Sequence, residues 1–383
     1  MLNHRTVRTA RSENMSLGER LSRMSKTLTL LIAVILGFSL VMLYSAGGGD
    51  WYRYAMSQSW KILVGVFIFF AVAVSNIKIW IRWAYFYYAV AVILVLMVFI
   101  TGHTGGGAQR WLNLGFFMIQ PSEFVKVAMV MVLARYFAWH NSGQTGHIRT
   151  YIIPAILFII PFGFIVTQPD LGTGLTLALI IGGMFFVVGA NKNWFILGAI
   201  LSILAAPVLW HTALHDYQRN RIITFVNPGH DLRGTGYQVA QARIAFGSGG
   251  WTGRGFVKGT QGQNQFLPEK HTDFIWTMVG EELGFWGALA LLGLFFGVSL
   301  ILHRMSTACR SRYAQLLISG FGISWFAHYF INIGMNMGLL PTVGAPLPLF
   351  SFGGSSLISL LFGFGLVQNA WVHRDLQLSA KGG

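Results

Sequence analysis

The 383-residue sequence predicts an all-α polytopic membrane protein of ten transmembrane helices, with one large loop between helices seven and eight. Three observations carry that prediction. Apolar residues make up 54% of the chain and charged residues only 10%, against roughly 25% in ordinary soluble proteins, and the mean hydropathy is +0.58. Apolar runs long enough to cross a hydrocarbon core recur near residues 27–46, 59–76, 83–101, 117–138, 151–167, 171–189, 194–210, 274–302, 314–337 and 354–372. The basic residues between those runs are unevenly shared between the two sides.

With ten spans both termini share a side, and the positive-inside rule makes it the cytoplasmic one. On that side stand Arg5, Arg8, Arg11, Arg20, Arg23 and Lys26, then Lys78, Arg82, Arg135, Arg149, Lys192, Arg304, Arg310, Arg312, Arg374 and Lys381. The short loops opposite hold only Arg53, Lys61 and Arg110. A net charge of +15 would suit a nucleic-acid binder, but the cations are spread through inter-helix segments and form no basic domain. The one cysteine, Cys309, excludes an intrachain disulfide and a cysteine-based metal site.

Taken in order, residues 1–26 form a basic cytoplasmic arm, residues 27–372 the membrane domain and residues 373–383 a cytoplasmic tail. The first run, Thr27–Ala46, exceeds a signal-peptide core and is expected to be a retained helix. The fourth helix opens with Gln120-Pro-Ser-Glu-Phe-Val-Lys126, which puts Glu123 and Lys126 three residues apart on one face as a candidate intramembrane ion pair. As a structural register pin or a functional pair, that motif reads about evenly. Gln168-Pro-Asp-Leu-Gly-Thr173 is turn chemistry, with Asp170 expected to cap the sixth helix.

The 211–273 stretch is too long for an ordinary connection, and its interleaved aromatics predict ordered segments against the bilayer, Gln238–Phe246 first among them as a short helix. It ends in the densest polar cluster of the chain: Glu269, Lys270, His271 and Asp273, with Glu281 and Glu282 about two turns on. Asp273 or Thr272 could cap the following helix; equally, ionisable groups at a membrane are costly and usually functional. Residues 338–356, with three prolines and four glycines, cannot form a regular helix and should line the cavity that holds the acids, with Ser351, Ser355 and Ser356 as donors. The histidines show no metal-ligand spacing.

Six ordered motifs give a family resemblance: Gln120–Lys126, Gln168–Thr173, His215-Asp-Tyr-Gln-Arg219, Phe246-Gly-Ser-Gly-Gly250, Phe266-Leu-Pro-Glu-Lys-His-Thr-Asp-Phe274 and Pro346–Ser356. Over all ten spans the chain resembles the SEDS family, its elongation branch more than its division branch. Val343 stands where division proteins usually have lysine, and Phe352 where tyrosine is commoner. The resemblance implies a peptidoglycan glycosyltransferase of the bacterial inner membrane, polymerising lipid II within the elongation machinery beside a class B penicillin-binding transpeptidase.

The family's catalytic aspartate falls on Asp273, and its polar cavity on Arg110, Glu123 and Lys126. Inverting transfer needs one base and no carboxylate nucleophile, and a diphosphate leaving group needs cations. Arg110, Lys126, Arg219, Arg221 and Lys270 are the candidates, alone or with a divalent ion such as Mg2+ or Mn2+. His271 and Ser355 complete the expected substrate contacts. A lipid II flippase is the alternative, since intramembrane charges and broken helices also describe transporters.

Overall fold

The computed structural model describes residues 15–376, apart from 106–107, 114, 116–117, 141–146, 169, 213–215, 228–233, 261–266 and 268. The arginines at 5, 8 and 11, His215, Phe266 and Lys381 therefore lie outside the described residues. A short helix, α1 (Leu17–Arg23), precedes ten helices of 18 residues or more. These are α2 (Lys26–Ala46), α3 (Ala55–Val74), α4 (Ile77–Thr101), α5 (Pro121–Ala138), α6 (Arg149–Thr167), α7 (Leu171–Val188) and α8 (Lys192–Thr212), then α11 (Ile275–Ala308), α12 (Arg312–Asn336) and α13 (Ser355–Val372). Two loop helices stand between α8 and α11: α9 (Asp216–Val226) and α10 (Thr235–Ser248).

The ten spans fall where the apolar runs predict them. Eight are long and apolar enough to cross a bilayer by length and composition, and α8 carries a shorter apolar stretch, Lys192–Val208. The exception, α5, includes Glu123, Lys126 and Arg135, and nearly all its residues are buried. It sits at the centre of the bundle against α4, α7, α12 and α13, so protein rather than lipid surrounds its charges. Helix α4 starts at Ile77 instead of the expected 83, because the Asn76 side chain accepts from Lys78 N at 2.9 Å and caps a turn whose Lys78 and Arg82 can snorkel.

Three short antiparallel strands, which the sequence reading did not foresee, link α4 to α5: β1 (His103–Gly105), β2 (Ala108–Asn113) and β3 (Met118–Ile119), in that order. The predicted loop helix at Gln238–Phe246 is present as α10 with a turn added, and α9 was not foreseen.

The eighth apolar run is broken at Gly284, whose φ of 69° and ψ of −164° suit glycine alone. A break strands backbone groups that a bilayer cannot solvate. The loop after α10 takes them up: Glu281 O accepts from Arg254 N at 2.9 Å, Glu282 O from Gly255 N at 3.1 Å, and Phe285 N donates to Gly250 O at 2.9 Å. A β-carbon on Gly253 or Gly284 would collide with the opposing backbone, which explains glycine at both positions.

The second and last spans meet. Helix α13 lies along α3, with Gly65 against Leu361 and Gly365 against Val72, so the two backbones approach closely. Arg23 pairs with Asp375, and Arg374 Nη1 donates to Arg23 O at 3.4 Å, so the described ends of the chain share one end of the bundle. At the other end lie the turn after α2, the small sheet, the α6–α7 turn, the long loop and the proline-rich segment after α12.

Candidate active site

Asp273 precedes α11 by two residues, yet it does not cap it. The N-cap position is Phe274, with no side-chain cap bond, and among the described residues no hydrogen bond reaches the Asp273 carboxylate. What is anchored is its backbone: Asp273 O accepts from Asn336 Nδ2 at 2.8 Å and Asn332 Nδ2 at 3.0 Å. The half-buried carboxylate faces Gly344, where a β-carbon would stand 3.6 Å from Oδ2 and 3.9 Å from Arg221 Nη1. Gly344, at φ 68°, thus leaves open a gap walled by a carboxylate and a guanidinium.

Burial raises the Asp273 carboxyl to about 6, with Glu269 adding to the rise, Arg221 and Arg110 opposing it, and Asp170 raising it slightly. A carboxylate in that range is ionised at neutral pH and still basic enough to accept a proton.

The surrounding groups are held by backbone contacts from other elements. Arg221 Nη1 on α9 donates to Thr342 O at 3.2 Å, and Arg110 Nε on β2 donates to Gln168 O at 3.2 Å. Asp170 caps α7 as expected, accepting from Thr173 N at 3.2 Å and Thr173 Oγ1 at 2.8 Å, and also takes Gln120 Nε2 at 2.9 Å. The proline-rich segment closes over the acidic cluster: Ser351 Oγ donates to Thr272 O at 2.6 Å and Phe352 N to His271 O at 2.8 Å.

Glu123 and Lys126 form the expected pair, 2.7 Å apart and both buried. They have a third member, His328 on α12, whose Nε2 is 2.6 Å from Lys126 Nζ and whose Nδ1 is 2.6 Å from Ser324 O. Among the described residues, buried Glu123 Oε2 has no hydrogen-bond partner.

Lys270 and His271 stand in the loop just before Asp273. Lys270 is buried; that burial lowers its basicity, Arg53 lowers it further, and Glu282 and Glu281 support its charge. The His271 ring stacks on Tyr54, centroids 4.4 Å apart, and burial depresses its basicity against the support of Glu269.

Two expected contacts are not brought to Asp273. Arg219 turns back to the end of α8, donating to Trp210 O at 2.8 Å and His211 O at 3.1 Å. Two residues along a helix point to nearly opposite sides, so α9 can present Arg221 to the gap only by turning Arg219 away. Ser355 Oγ accepts from Gln120 N at 2.9 Å and donates to Met118 O at 3.4 Å, pinning the start of α5.

Residues that sequence reading missed line one stripe of α12: Ser324, His328, Asn332 and Asn336, each four residues apart. That period is one helical face, and its recurrence inside an apolar run was the available signal. Among the described residues no three His, Cys, Asp or Glu come together to hold a metal ion.

Comparison with known proteins gives the family. The family model described as "Cell cycle protein", spanning FtsW, RodA and SpoVE, matches residues 20–376. The peptidoglycan glycosyltransferase MrdB of Escherichia coli K12 is 36% identical over 354 residues, covering 91% of this chain and 94% of that protein. A probable peptidoglycan glycosyltransferase FtsW of Trichlorobacter lovleyi is 34% identical over 364 residues, covering 91% and 93%. A solved chain from work on the structural coordination of polymerization and crosslinking by a peptidoglycan synthase complex superposes with TM-score 0.80 at 29% identity, covering 92% of this chain and 98% of that one. The crystal structure of the rod shape determining protein RodA of Thermus thermophilus gives 0.68 at 27%, covering 92% and 97%. The chain belongs to the FtsW/RodA/SpoVE family, the SEDS proteins, and is a multi-pass membrane protein.

Proposed function

We propose that this SEDS protein is a peptidoglycan glycosyltransferase that polymerises lipid II during cell elongation. A sugar hydroxyl of the acceptor attacks the anomeric carbon of the donor; the new C–O bond forms as the bond to the lipid diphosphate breaks. The hydroxyl proton passes to the Asp273 carboxylate, and the bonding electron pair leaves with the diphosphate. Inversion at one centre needs no second carboxylate nucleophile. Arg221 and Arg110 meet the charge that develops on the leaving group, their planar forks matching phosphate oxygens.

One observation carries this reading: a carboxylate raised to about 6, free of hydrogen bonds among the described residues, faces a guanidinium across a gap that Gly344 keeps open. The same reading places the protein in the bacterial inner membrane with both termini cytoplasmic and the Asp273 end periplasmic, in the elongation machinery, beside a class B penicillin-binding transpeptidase.

The test is glycan-chain synthesis from lipid II by the purified protein with its transpeptidase partner. Wild type should make chains, and Asp273→Asn should lose on the order of 10²–10⁴-fold in rate. Near-normal chains from Asp273→Asn would remove Asp273 as base. Transbilayer movement of lipid II in vesicles containing the protein alone, without chain synthesis, would favour a flippase instead.

A further inference from the structure

We infer that Asn332 and Asn336 are positioning residues for Asp273: an amide bracket on α12 that fixes the separation between the carboxylate and the loop wall opposite. The inference rests on Asp273 being the reactive carboxylate of the proposed polymerisation. It concerns two residues whose amides reach the Asp273 backbone carbonyl and not its carboxylate.

Asn332 holds both walls at once. Its single amide nitrogen donates to Asp273 O at 3.0 Å and to Ala345 O at 2.6 Å. Asp273 carries the carboxylate on one side of the gap, and Ala345 follows Gly344 on the other. Asn336 adds a second donor to Asp273 O at 2.8 Å, so both lone pairs of that carbonyl are filled. Neither amide is free to turn over. Thr277 Oγ1 donates to Asn336 Oδ1 at 2.8 Å, which directs Asn336 Nδ2 towards Asp273, and Asn336 Nδ2 also reaches Asn332 Oδ1 at 3.3 Å. All three side chains are buried, Thr277 and Asn332 completely.

A fixed carbonyl sets the direction of the neighbouring Cα–Cβ bond, and hence where the carboxylate lies. That placement decides how far Asp273 is removed from water and how it stands to the groups around it: Glu269 in its own loop, Arg221 on α9, Arg110 on β2 and Asp170 before α7. Loosening the bracket lets the carboxylate swing towards solvent, where its proton affinity relaxes to the ordinary carboxylate range. Misplacement of a reacting group by about 1 Å can cost on the order of 100-fold in rate with binding little changed.

The experiment uses the full-length protein and two readouts. The first is the pH dependence of carbodiimide labelling at Asp273, followed by peptide mass spectrometry, which needs no turnover. The wild-type midpoint should lie at about 6. It should move down, towards about 4, in Asn332→Leu and in Thr277→Val, the latter keeping shape and both asparagines while releasing the Asn336 amide. The second is chain synthesis with the transpeptidase partner: kcat should fall about 10-fold to 100-fold in Asn332→Leu with KM for lipid II within about twofold. Unchanged labelling midpoints in the variants would overturn the bracket as a positioning device. If Asn332→Leu does not fold, Thr277→Val decides by the same midpoint. A wild-type protein that labels near 6 but makes no glycan would defeat the proposed function while leaving the bracket tested on its own terms.

Discussion

Lys126 Nζ lies 2.6 Å from His328 Nε2 in the interior of the bundle. An ammonium has only protons to give, so the imidazole accepts at Nε2, and its Nδ1–H donates to Ser324 O, 2.6 Å away. The lysine is thereby shared between a carboxylate on its own helix and a ring on another, which ties α5 to α12. His328→Gln, which offers one acceptor and one donor, should keep most stability. His328→Leu removes a partner of a buried cation and should lose about 1–3 kcal/mol, read as a fall in the unfolding temperature in detergent. Exchanging the charges of Glu123 and Lys126 is not a neutral control, because the carboxylate would then meet the accepting nitrogen of His328.

Asp273 separates stability from activity. Its proton affinity is raised on folding, from an ordinary 3.8 to about 6, so between those values the folded state binds more protons than the unfolded state. Stability contributed by the protonated carboxyl is therefore lost as pH rises through about 6. Asp273→Asn should unfold at the same or a higher temperature than wild type at pH 7, and the difference should vanish near pH 4. The wild-type rate of chain synthesis should climb as pH passes 6, as the base ionises.

Arg221 and Arg219 share one short helix and should behave oppositely. Arg221→Ala removes a cation that faces the gap and should lower kcat/KM on the order of 10²-fold; with its opposing charge gone, the acid limb of the pH–rate profile should shift upward. Arg219→Ala loses bonds to the end of α8 and an exposed pair with Asp216, a cost of at most about 1 kcal/mol with activity near normal. Equal losses in both variants would show that α9 acts as a structural unit.

The proposed sidedness of the bundle rests on the distribution of its cations. In a Cys309→Ser background, Lys258→Cys should react with a membrane-impermeant thiol reagent added to intact spheroplasts, and His147→Cys only after permeabilisation. Both positions are exposed. Reaction of both from the same side would refute the assigned topology.

The spans were legible because a 20-residue apolar run has few other meanings, and the Glu123–Lys126 pair because a three-residue spacing fixes a shared face. The break at Gly284 was not legible: its flanks are as apolar as any helix, and the loop at 249–255 that receives its backbone is remote in sequence. Arg219 and Ser355 were expected at the substrate on residue type, whereas their bonds to the end of α8 and to the start of α5 depend on the direction in which each helix presents them. His328, Asn332 and Asn336 escaped because single polar residues dilute into an apolar run unless their four-residue recurrence is counted. The Asp273 cluster was visible as charge, but that Asp273 is no cap depends on the observed start of α11.

The contact between α3 and α13 sets an order for biosynthesis. Helix α3 ends at Val74 and its main neighbour begins at Ser355, so 355 − 74, roughly 280 residues, must be translated before the two can meet. At about 5–20 residues per second that is a wait on the order of 15–60 s. Through that interval Gln58 lacks the Ser351 carbonyl that it bonds in the finished protein, and Gly65 presents bare backbone to lipid where Leu361 will lie. A nascent chain stalled before residue 355 therefore displays an unfinished surface on its second span.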